Sequence, residues 1–382
     1  MTTVAEPAVG RPSAAALAGR LTRLRATLRE RDLPALLVSN AYNRRYLTAF
    51  AGEDDPPSDA ASAGMLLVTA KRVVLITDSR YAIQAEHETA GVEIVLRKGT
   101  MKDALIEQIG ALGVRRLGFE ADHLVYALHE DLHAALPAVE LVPTRRIVRT
   151  QRLVKDEAEL ALLRRAIAIS DEAITRVAAD LRPGMTEREI AHRIENTMIA
   201  LGADAPAFAT IVAAGPNGAM AHAVPGDRPI REGEPIVIDM GARYHGYSSD
   251  MTRTLILGAP DAQFRAIYNI VLRAKQTAEA GIRAGITGVA ADKLARDVIE
   301  AAGYGGQFGH GLGHGIGLEV HEGPSLSRTS EDTLAAGEVS SVEPGIYLPD
   351  WGGVRLEDLV LIHPDGVEIL TGAALHGAYE EP

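Results

Sequence analysis

Five residues in the C-terminal half of the chain have the types and order of a two-metal hydrolase site. Four are carboxylates and one is a histidine; in chain order they are Asp239, Asp250, His314, Glu343 and Glu357. An oxygen-rich set of this kind favours hard divalent ions, most of all Mn²⁺, with Co²⁺ and Zn²⁺ as alternatives. Two such ions lower the pKa of a shared water and yield hydroxide near neutral pH. These residues therefore predict metal-dependent hydrolysis.

The first two carboxylates are spaced so that they could meet across a β-hairpin. They lie in IVIDMGARYHGYSSDMTRTLIL, where two apolar stretches flank turn residues. A turn centred between Tyr244 and His245 would place Asp239 directly opposite Asp250. Directly opposed side chains share one face of the hairpin, with Cβ atoms about 4.5–5.5 Å apart.

The last two carboxylates repeat this arrangement. In VEPGIYLPDWGGVRLEDLVLI, Glu343 and Glu357 flank a loop centred on Asp350. Like charges that face each other across a hairpin repel. Four carboxylates on paired strands therefore indicate a site with cations between them rather than a solvated surface.

Three histidines lie in the glycine-rich stretch FGHGLGHGIGLEVHEGP, residues 308–324. Glycines allow close backbone approach and bends that an ordinary strand resists. His310 and His314 are four residues apart and could share one strand face. His321 has the opposite parity, so it must point elsewhere or follow a bend.

Composition excludes several classes of protein. The chain has 382 residues, 47% hydrophobic and 24% charged, with a net charge of −12, which disfavours binding to nucleic acid or an anionic membrane. It has no cysteine, and therefore no disulfide or thiolate ligand. No apolar stretch approaches the roughly 18 residues of a membrane span. The first residues lack a signal-peptide pattern, so we expect a cytoplasmic protein.

The first 150 residues alternate short apolar runs with amphipathic stretches. Residues 1–13 are rich in Pro, Ala and Thr, and we expect them to be disordered. A first helix carries leucines at helical spacing: Leu17, Leu21, Leu24 and Leu28. Strand-like runs follow at 35–39, 65–69, 73–77, 92–97 and 116–120, with helical segments near 101–112 and 125–135. Residues 14–150 therefore predict an α/β domain.

The pattern changes in the second part of the chain. Asp156 and Glu159 form a capping-box pattern that opens a long helix. Helices are predicted at roughly 158–181, 186–201, 261–283 and 287–302. Because these helices alternate with hairpin-like segments, residues 151–382 predict an α+β catalytic domain.

These motifs together resemble the metallopeptidases with the pita-bread fold, which include methionine aminopeptidase, aminopeptidase P and prolidase. The strongest segments are FATIVAAGPNGAMAHAVPG, IDMGARYHGYSSDMTRT, FGHGLGHGIGLEVHEGP and VEPGIYLPDWGGVRLED. The segments NRRYLTAF and DSRYAIQAE are similar to the extra domain shared by prolidase, aminopeptidase P and creatinase. The resemblance implies an α/β N-terminal domain, an α+β pita-bread catalytic domain and a homodimer.

The resemblance implies a role for each matched ligand. Asp239 would chelate the first metal ion. Asp250 and Glu357 would bridge both ions. His314 and Glu343 would complete the second, and Glu343 would also pass a proton from the water to the leaving nitrogen.

Other matched residues line the substrate pocket. His222, His310 and His321 match accessory histidines of the proline-directed branch. His222 or His321 would donate a hydrogen bond to the oxyanion, and His310 would bind substrate. Arg355 matches an arginine that supports the carboxylates, and it is a candidate contact for the C-terminal carboxylate of a dipeptide.

Some positions depart from the pattern or match it weakly. Ala209 and Ser341 replace an aspartate and a threonine, and we expect neither to touch a ligand. Arg44 and Arg45 are weaker candidates for a carboxylate contact from a partner subunit, and as single residues they are better interpreted as surface charges.

The resemblance implies hydrolysis of Xaa-Pro bonds in a proline-containing di- or oligopeptide. Prolidase acts on dipeptides, whereas aminopeptidase P acts on longer peptides, and the sequence leaves both open. Creatinase lacks the metal ligands present here. A non-catalytic pita-bread binding protein is the alternative of another class, and such relatives typically lose ligands.

Overall fold

The computed structural model of the protein describes residues 10–53 and 63–373. The chain divides into two compact units, Arg11–Arg152 and a second that begins at Leu153. Disorder was predicted for residues 1–13, of which residues 1–9 lie outside the described part of the chain. Ser13 already caps the first helix, because its hydroxyl accepts a hydrogen bond from the Ala16 N–H at 3.2 Å.

The described residues of the first unit form a six-stranded sheet. Its strands are β1 (Ala35–Val38), β2 (Met65–Thr69), β3 (Val73–Thr77), β4 (Glu93–Leu96), β5 (Arg116–Glu120) and β6 (Glu140–Thr144). They lie in the order β4-β3-β2-β1-β5-β6, with β2 antiparallel to its neighbours and the other pairs parallel. Every apolar run expected from the sequence forms a strand, which confirms the α/β prediction. The unpredicted β6 contains Pro143, which an edge strand tolerates.

Helices accompany this sheet. They are α1 (Ala14–Glu30), α2 (Ala41–Thr48), α3 (Ala82–Glu88), α4 (Met101–Leu112), α5 (Tyr126–Ala135) and α6 (Ile147–Leu153). The leucine face predicted for α1 is buried. In α2, Arg44 is fully buried and its guanidinium donates to the carbonyl oxygens of Gly52 and Gly64. The interpretation of Arg44 as a surface charge is therefore wrong.

The second unit begins with the predicted long helix. Its helices are α7 (Glu157–Ala179), α8 (Glu187–Ala200), α9 (Ala262–Gly281) and α10 (Gly288–Ala301). The capping box at α7 is confirmed, because the Asp156 carboxylate accepts from the Glu159 N–H and the Glu159 carboxylate from the Asp156 N–H. In α8, Thr186 and Glu189 form the same motif.

Antiparallel strands make up the rest of this unit. They are β7 (Ala205–Pro206), β8 (Ile211–Ala214), β9 (Pro235–Met240), β10 (Ala242–Tyr244), β11 (Tyr247–Ser248), β12 (Met251–Ile256), β13 (Gly313–Gly315), β14 (Glu322–Leu326), β15 (Val339–Val342), β16 (Gly345–Leu348), β17 (Gly352–Arg355), β18 (Asp358–Ile362) and β19 (Val367–Ile369). They form sheets ordered β12-β9-β8, β11-β10-β7, β14-β13-β15-β18-β19 and β16-β17. The α+β prediction is confirmed. Of the described helices, none combines the length and apolarity needed to cross a membrane.

The first hairpin has the predicted strands but a different register. Asp239 lies opposite Thr252, so the expected direct opposition of Asp239 and Asp250 is wrong. The turn residues are His245 and Gly246, with φ of 45° and 83°, as a two-residue hairpin turn of the left-handed type requires. The turn is thus centred one residue later than predicted. A shift of two residues along one strand preserves the face of the sheet.

The second hairpin has the predicted register. Gly345 pairs with Arg355 on one side of the ligand positions, and Val342 pairs with Asp358 on the other. The same register places Glu343 across from Glu357.

Candidate metal centre

Five side chains from three parts of the second unit meet in one place. Asp239, Asp250 and Glu357 each place a carboxylate oxygen within 4.8 Å of the other two. His314 lies beside them, with Nε2 3.5 Å from Asp250 Oδ2 and 3.4 Å from Glu343 Oε1. All five residues singled out in the sequence are therefore brought together.

Two further residues connect the hairpins behind these carboxylates. The Thr252 hydroxyl donates to Glu357 Oε2 at 2.8 Å and accepts from Arg355 Nε at 2.9 Å. Arg355 Nη2 donates to Asp239 Oδ2 at 2.6 Å. Each of the two carboxylates thus has one oxygen held by a protein donor.

The remaining oxygens fit a divalent cation. Asp239 Oδ1 and Glu357 Oε1 are buried and accept no hydrogen bond from the described residues. Burial, reinforced by the neighbouring carboxylates, raises the pKa of Asp250 well above its usual range and that of Glu357 to about 8. Burial also raises the pKa of Glu343 to about 7. Metal ions would neutralise this repulsion and supply the missing partners.

Ser341 contacts the cluster, contrary to expectation. Its hydroxyl donates to Glu343 Oε1 at 3.1 Å and accepts from the His314 N–H at 3.0 Å. A threonine at this position would offer the same hydroxyl, which explains why serine is a tolerable replacement.

The cluster opens onto a cavity of about 350 Å³. The accessory histidines His222, His310 and His321 line it, together with apolar residues such as Phe208 and Val320. The cavity therefore combines an apolar wall with several imidazoles beside the carboxylates.

Two histidines are placed by a bend and by a tyrosine. His321 follows a bend that brings its ring centroid to 4.2 Å from that of His314. His310 precedes β13, so the expected strand face shared with His314 is not formed. Its Nε2 lies 3.0 Å from the Tyr347 hydroxyl. Burial lowers the pKa of His310 to about 4 and also lowers that of His321, so both are neutral at pH 7.

Two family models match the chain. The model of metallopeptidase family M24 matches residues 161–364, and that of the creatinase/prolidase N-terminal domain matches residues 20–154. The chain belongs to metallopeptidase family M24. The Xaa-Pro dipeptidase of Pyrococcus horikoshii is 36% identical to it over 89% of this chain and 93% of its own.

Solved structures of M24 relatives superpose on nearly the whole chain. An Xaa-Pro dipeptidase from Bacillus anthracis is 39% identical with a TM-score of 0.88, and covers 94% of this chain and 99% of its own. An X-Pro aminopeptidase from Thermotoga maritima is 36% identical with a TM-score of 0.84, and covers 93% and 99%.

Sequence reasoning missed two residues of this M24 site, Thr252 and Tyr347. The Tyr347 hydroxyl accepts a hydrogen bond from Arg355 Nη1 at 2.9 Å and contacts His310. The pairing register of the two hairpins could have identified both residues. Thr252 faces Asp239, and Tyr347 lies four residues beyond Glu343 on the strand that pairs with the one carrying Arg355.

Proposed function

We propose that this M24 metallopeptidase hydrolyses Xaa-Pro dipeptides, as a prolidase. The observation that carries the proposal is the convergence of the five carboxylate and histidine side chains beside one cavity lined by three further histidines. The Xaa-Pro dipeptidases among the relatives support the choice of substrate.

The proposed ligands are the five clustered side chains. Asp239 would bind the first ion. Asp250 and Glu357 would bind both ions, and His314 and Glu343 would bind the second. The dominance of carboxylate oxygens favours Mn²⁺. When bound, the ions would polarise the scissile carbonyl and supply a nucleophile at neutral pH.

Glu343 is the proposed proton carrier. The nitrogen of an Xaa-Pro bond bears no hydrogen, so it must gain a proton as it leaves. A carboxylate at this position could accept a proton from the water and return it to the nitrogen in one turnover. Its Oε1 is oriented by the Ser341 hydroxyl.

The histidines have distinct proposed roles. His222 or His321 donates a hydrogen bond to the oxygen of the tetrahedral intermediate, which such a donor stabilises. His321 can do so as a neutral imidazole because its pKa is lowered. His310, fixed by Tyr347, forms a wall for the substrate.

Arg355 is better suited to positioning than to substrate contact. Its side chain is 3% exposed. It donates to Thr252, Ala221, Tyr347 and Asp239. Of the described residues lining the cavity, Arg355 alone has a permanent positive charge. Because the guanidinium of Arg355 is already bonded to these protein groups, it is not available to bind the C-terminal carboxylate of a dipeptide. This favours a second candidate function, aminopeptidase P, whose longer substrates need no such cation beside the proline.

The first experiment is hydrolysis of Ala-Pro, Ala-Pro-Ala and Met-Ala-Ser by Mn²⁺-loaded protein, with a chelator-treated control. Cleavage of Ala-Pro alone supports the prolidase proposal. Preferential cleavage of Ala-Pro-Ala supports aminopeptidase P. Release of Met from Met-Ala-Ser would indicate the methionine aminopeptidase branch. Absence of any cleavage despite bound metal would favour a binding role or a substrate outside this set.

A further inference from the structure

The larger apolar side chains beside His222 do not anchor its loop, although the small side chain of Ala223 is buried. Residues 214–226 join β8 to the segment before β9 and contain only one short 3₁₀ turn, Gly215–Ala219. The side chains of Met220 and Val224 on either side of His222 are 56% and 81% exposed. Other contacts must therefore hold the loop against the cavity.

A single buried carboxylate holds both ends of this loop. Glu187, the first residue of α8, is 1% exposed. Its Oε1 accepts from the Ala214 N–H at 2.8 Å. Its Oε2 accepts from Asn217 Nδ2 at 2.9 Å and from the Gly226 N–H at 3.0 Å. Hydrogen bonds to an ionised acceptor are short and strong, so one side chain fixes the separation of the loop ends.

The middle of the loop is held by a different side chain. Arg355 Nη1 donates to the carbonyl oxygen of Ala221 at 3.1 Å. His222, the next residue, is thus placed between a carboxylate at the base of the loop and a guanidinium at its centre.

We propose that Glu187 is a positioning residue that acts through His222. By closing the ends of the loop it sets the place of the imidazole at the cavity wall, without touching the metal ligands. This inference rests on the proposed role of His222 in substrate turnover.

Helix capping is the competing explanation, and the same helix supplies its control. Glu189, two residues further along α8, accepts from the Thr186 N–H at 2.9 Å and completes the capping box. It has the same side chain and lies in the same helical turn. Glu189→Ala therefore removes a helix cap and leaves the loop contacts intact.

Hydrogen exchange tests the contact independently of activity. In Glu187→Ala we expect faster exchange at the amides of residues 214–226, including Ala214 and Gly226. The amides of β9 and β12 should stay protected, and metal stoichiometry should not change. Glu189→Ala should leave the loop as protected as the wild type. Unchanged loop exchange in Glu187→Ala would overturn the proposal.

A double-mutant cycle tests whether the effect passes through His222. Misplacement of a reacting group by about 1 Å can cost on the order of 10²-fold in rate. We therefore expect Glu187→Ala to lower kcat for Ala-Pro by about tenfold or more, and Glu189→Ala by less than about twofold. In a His222→Ala background, Glu187→Ala should have little further effect. Equal losses in both backgrounds would show that Glu187 does not act through His222.

A conservative variant covers a failure of Glu187→Ala to fold. Glu187→Gln keeps the shape and one accepting oxygen, but its NH₂ group faces an N–H donor. It should fall between wild type and Glu187→Ala in both exchange and kcat, and a wild-type result in both would contradict the proposal. If the wild type cleaves no Xaa-Pro peptide while the loop exchange responds as expected, the proposed function fails and the structural role of Glu187 stands.

Discussion

At the scale of single residues, the centre combines carboxylates that repel each other with donors that fix their outer oxygens. Thr252 holds one oxygen of Glu357 and Arg355 holds one oxygen of Asp239, and the other oxygen of each carboxylate is buried without a hydrogen-bond partner among the described residues. Without cations, protonation relieves the repulsion, since the pKa of Glu357 is raised to about 8 and that of Asp250 is raised as well.

The first prediction concerns the charge of these carboxylates. Asp250→Asn and Glu357→Gln should each abolish stoichiometric metal binding and peptide hydrolysis, since both positions are proposed to bridge the ions. In the metal-free protein the same changes should raise the melting temperature only at a pH high enough to ionise these carboxyl groups, because their raised pKa keeps them protonated below it. Metal analysis and thermal melts with chelator measure both effects. The exposed Asp365→Asn is the control, and full turnover in either site variant would disprove the bridging role.

Arg355→Lys tests whether Arg355 positions a ligand or binds substrate. A lysine ammonium cannot reproduce the planar fork that reaches Thr252, Ala221, Tyr347 and Asp239. We expect kcat for Ala-Pro to fall by on the order of 10²-fold with KM nearly unchanged. A large rise in KM with kcat preserved would instead support a carboxylate contact.

At the scale of elements, the strand that carries His314 depends on close backbone approach. A Cβ added at Gly315 would overlap the carbonyl oxygen of Gly323, whereas one added at Gly309, in the same glycine-rich run, would meet nothing within 4 Å. Gly315→Ala should therefore separate β13 from β14, weaken metal binding and lower the melting temperature. Gly309→Ala should match the wild type, and metal titration with thermal melts compares the two. Equal behaviour would show that β13 can move without affecting His314.

Helix α9 contributes a pH-dependent term to stability. Lys275 lies 3.0 Å from Glu279 Oε1 and also pairs with Asp358. Burial raises the pKa of Glu279 from 4.5 to about 7, with Asp358 adding to the shift and Lys275 opposing it. The folded protein thus keeps a proton that the unfolded chain releases. This contribution is complete below about pH 4.5 and is lost as pH rises through about 7.

Glu279→Gln should remove this dependence. Between about pH 5 and pH 8 the free energy of unfolding should fall more in the wild type than in the variant. Denaturant unfolding at both pH values measures the difference, with the exposed Glu300→Gln as control. A wild-type slope in Glu279→Gln would assign the titration to another group.

The hairpins show what the sequence could and could not reveal. Alternation and turn residues predicted both hairpins, and the symmetric spacing around Asp350 gave the correct register of the second. The predicted register of the first hairpin was wrong because the turn was placed between Tyr244 and His245 without regard to which residues adopt positive φ. His245-Gly246 suits the left-handed turn, since histidine enters that region more readily than most residues and glycine enters it freely.

At the scale of the whole molecule, contacts between distant segments were the part beyond reach of the sequence. The burial of Arg44 and the contact of Ser341 with His314, 27 residues earlier, depend on how separate segments meet in three dimensions. Periodicity reports which face of an element is apolar, but it does not report which polar side chain meets which carbonyl.

We also predict a homodimer, a property implied by the resemblance in the N-terminal unit. Light scattering after size-exclusion chromatography should give twice the 40.6 kDa of one chain. A tenfold dilution before injection separates a stable dimer from a weak one. A mass of one chain at every concentration would contradict the prediction.

The hydrogen bond between Thr252 and Glu357 joins residues 105 positions apart. It can therefore form only late in synthesis, after both hairpins have been made. Asp239, Asp250 and His314 leave the ribosome well before Glu343 and Glu357. A nascent chain would therefore display only part of the proposed ligand set, and an ion that it captured would remain free to exchange. On the proposed ligand assignment, the metal ion would be selected only after the last hairpin has emerged, from the cations that the finished chain meets.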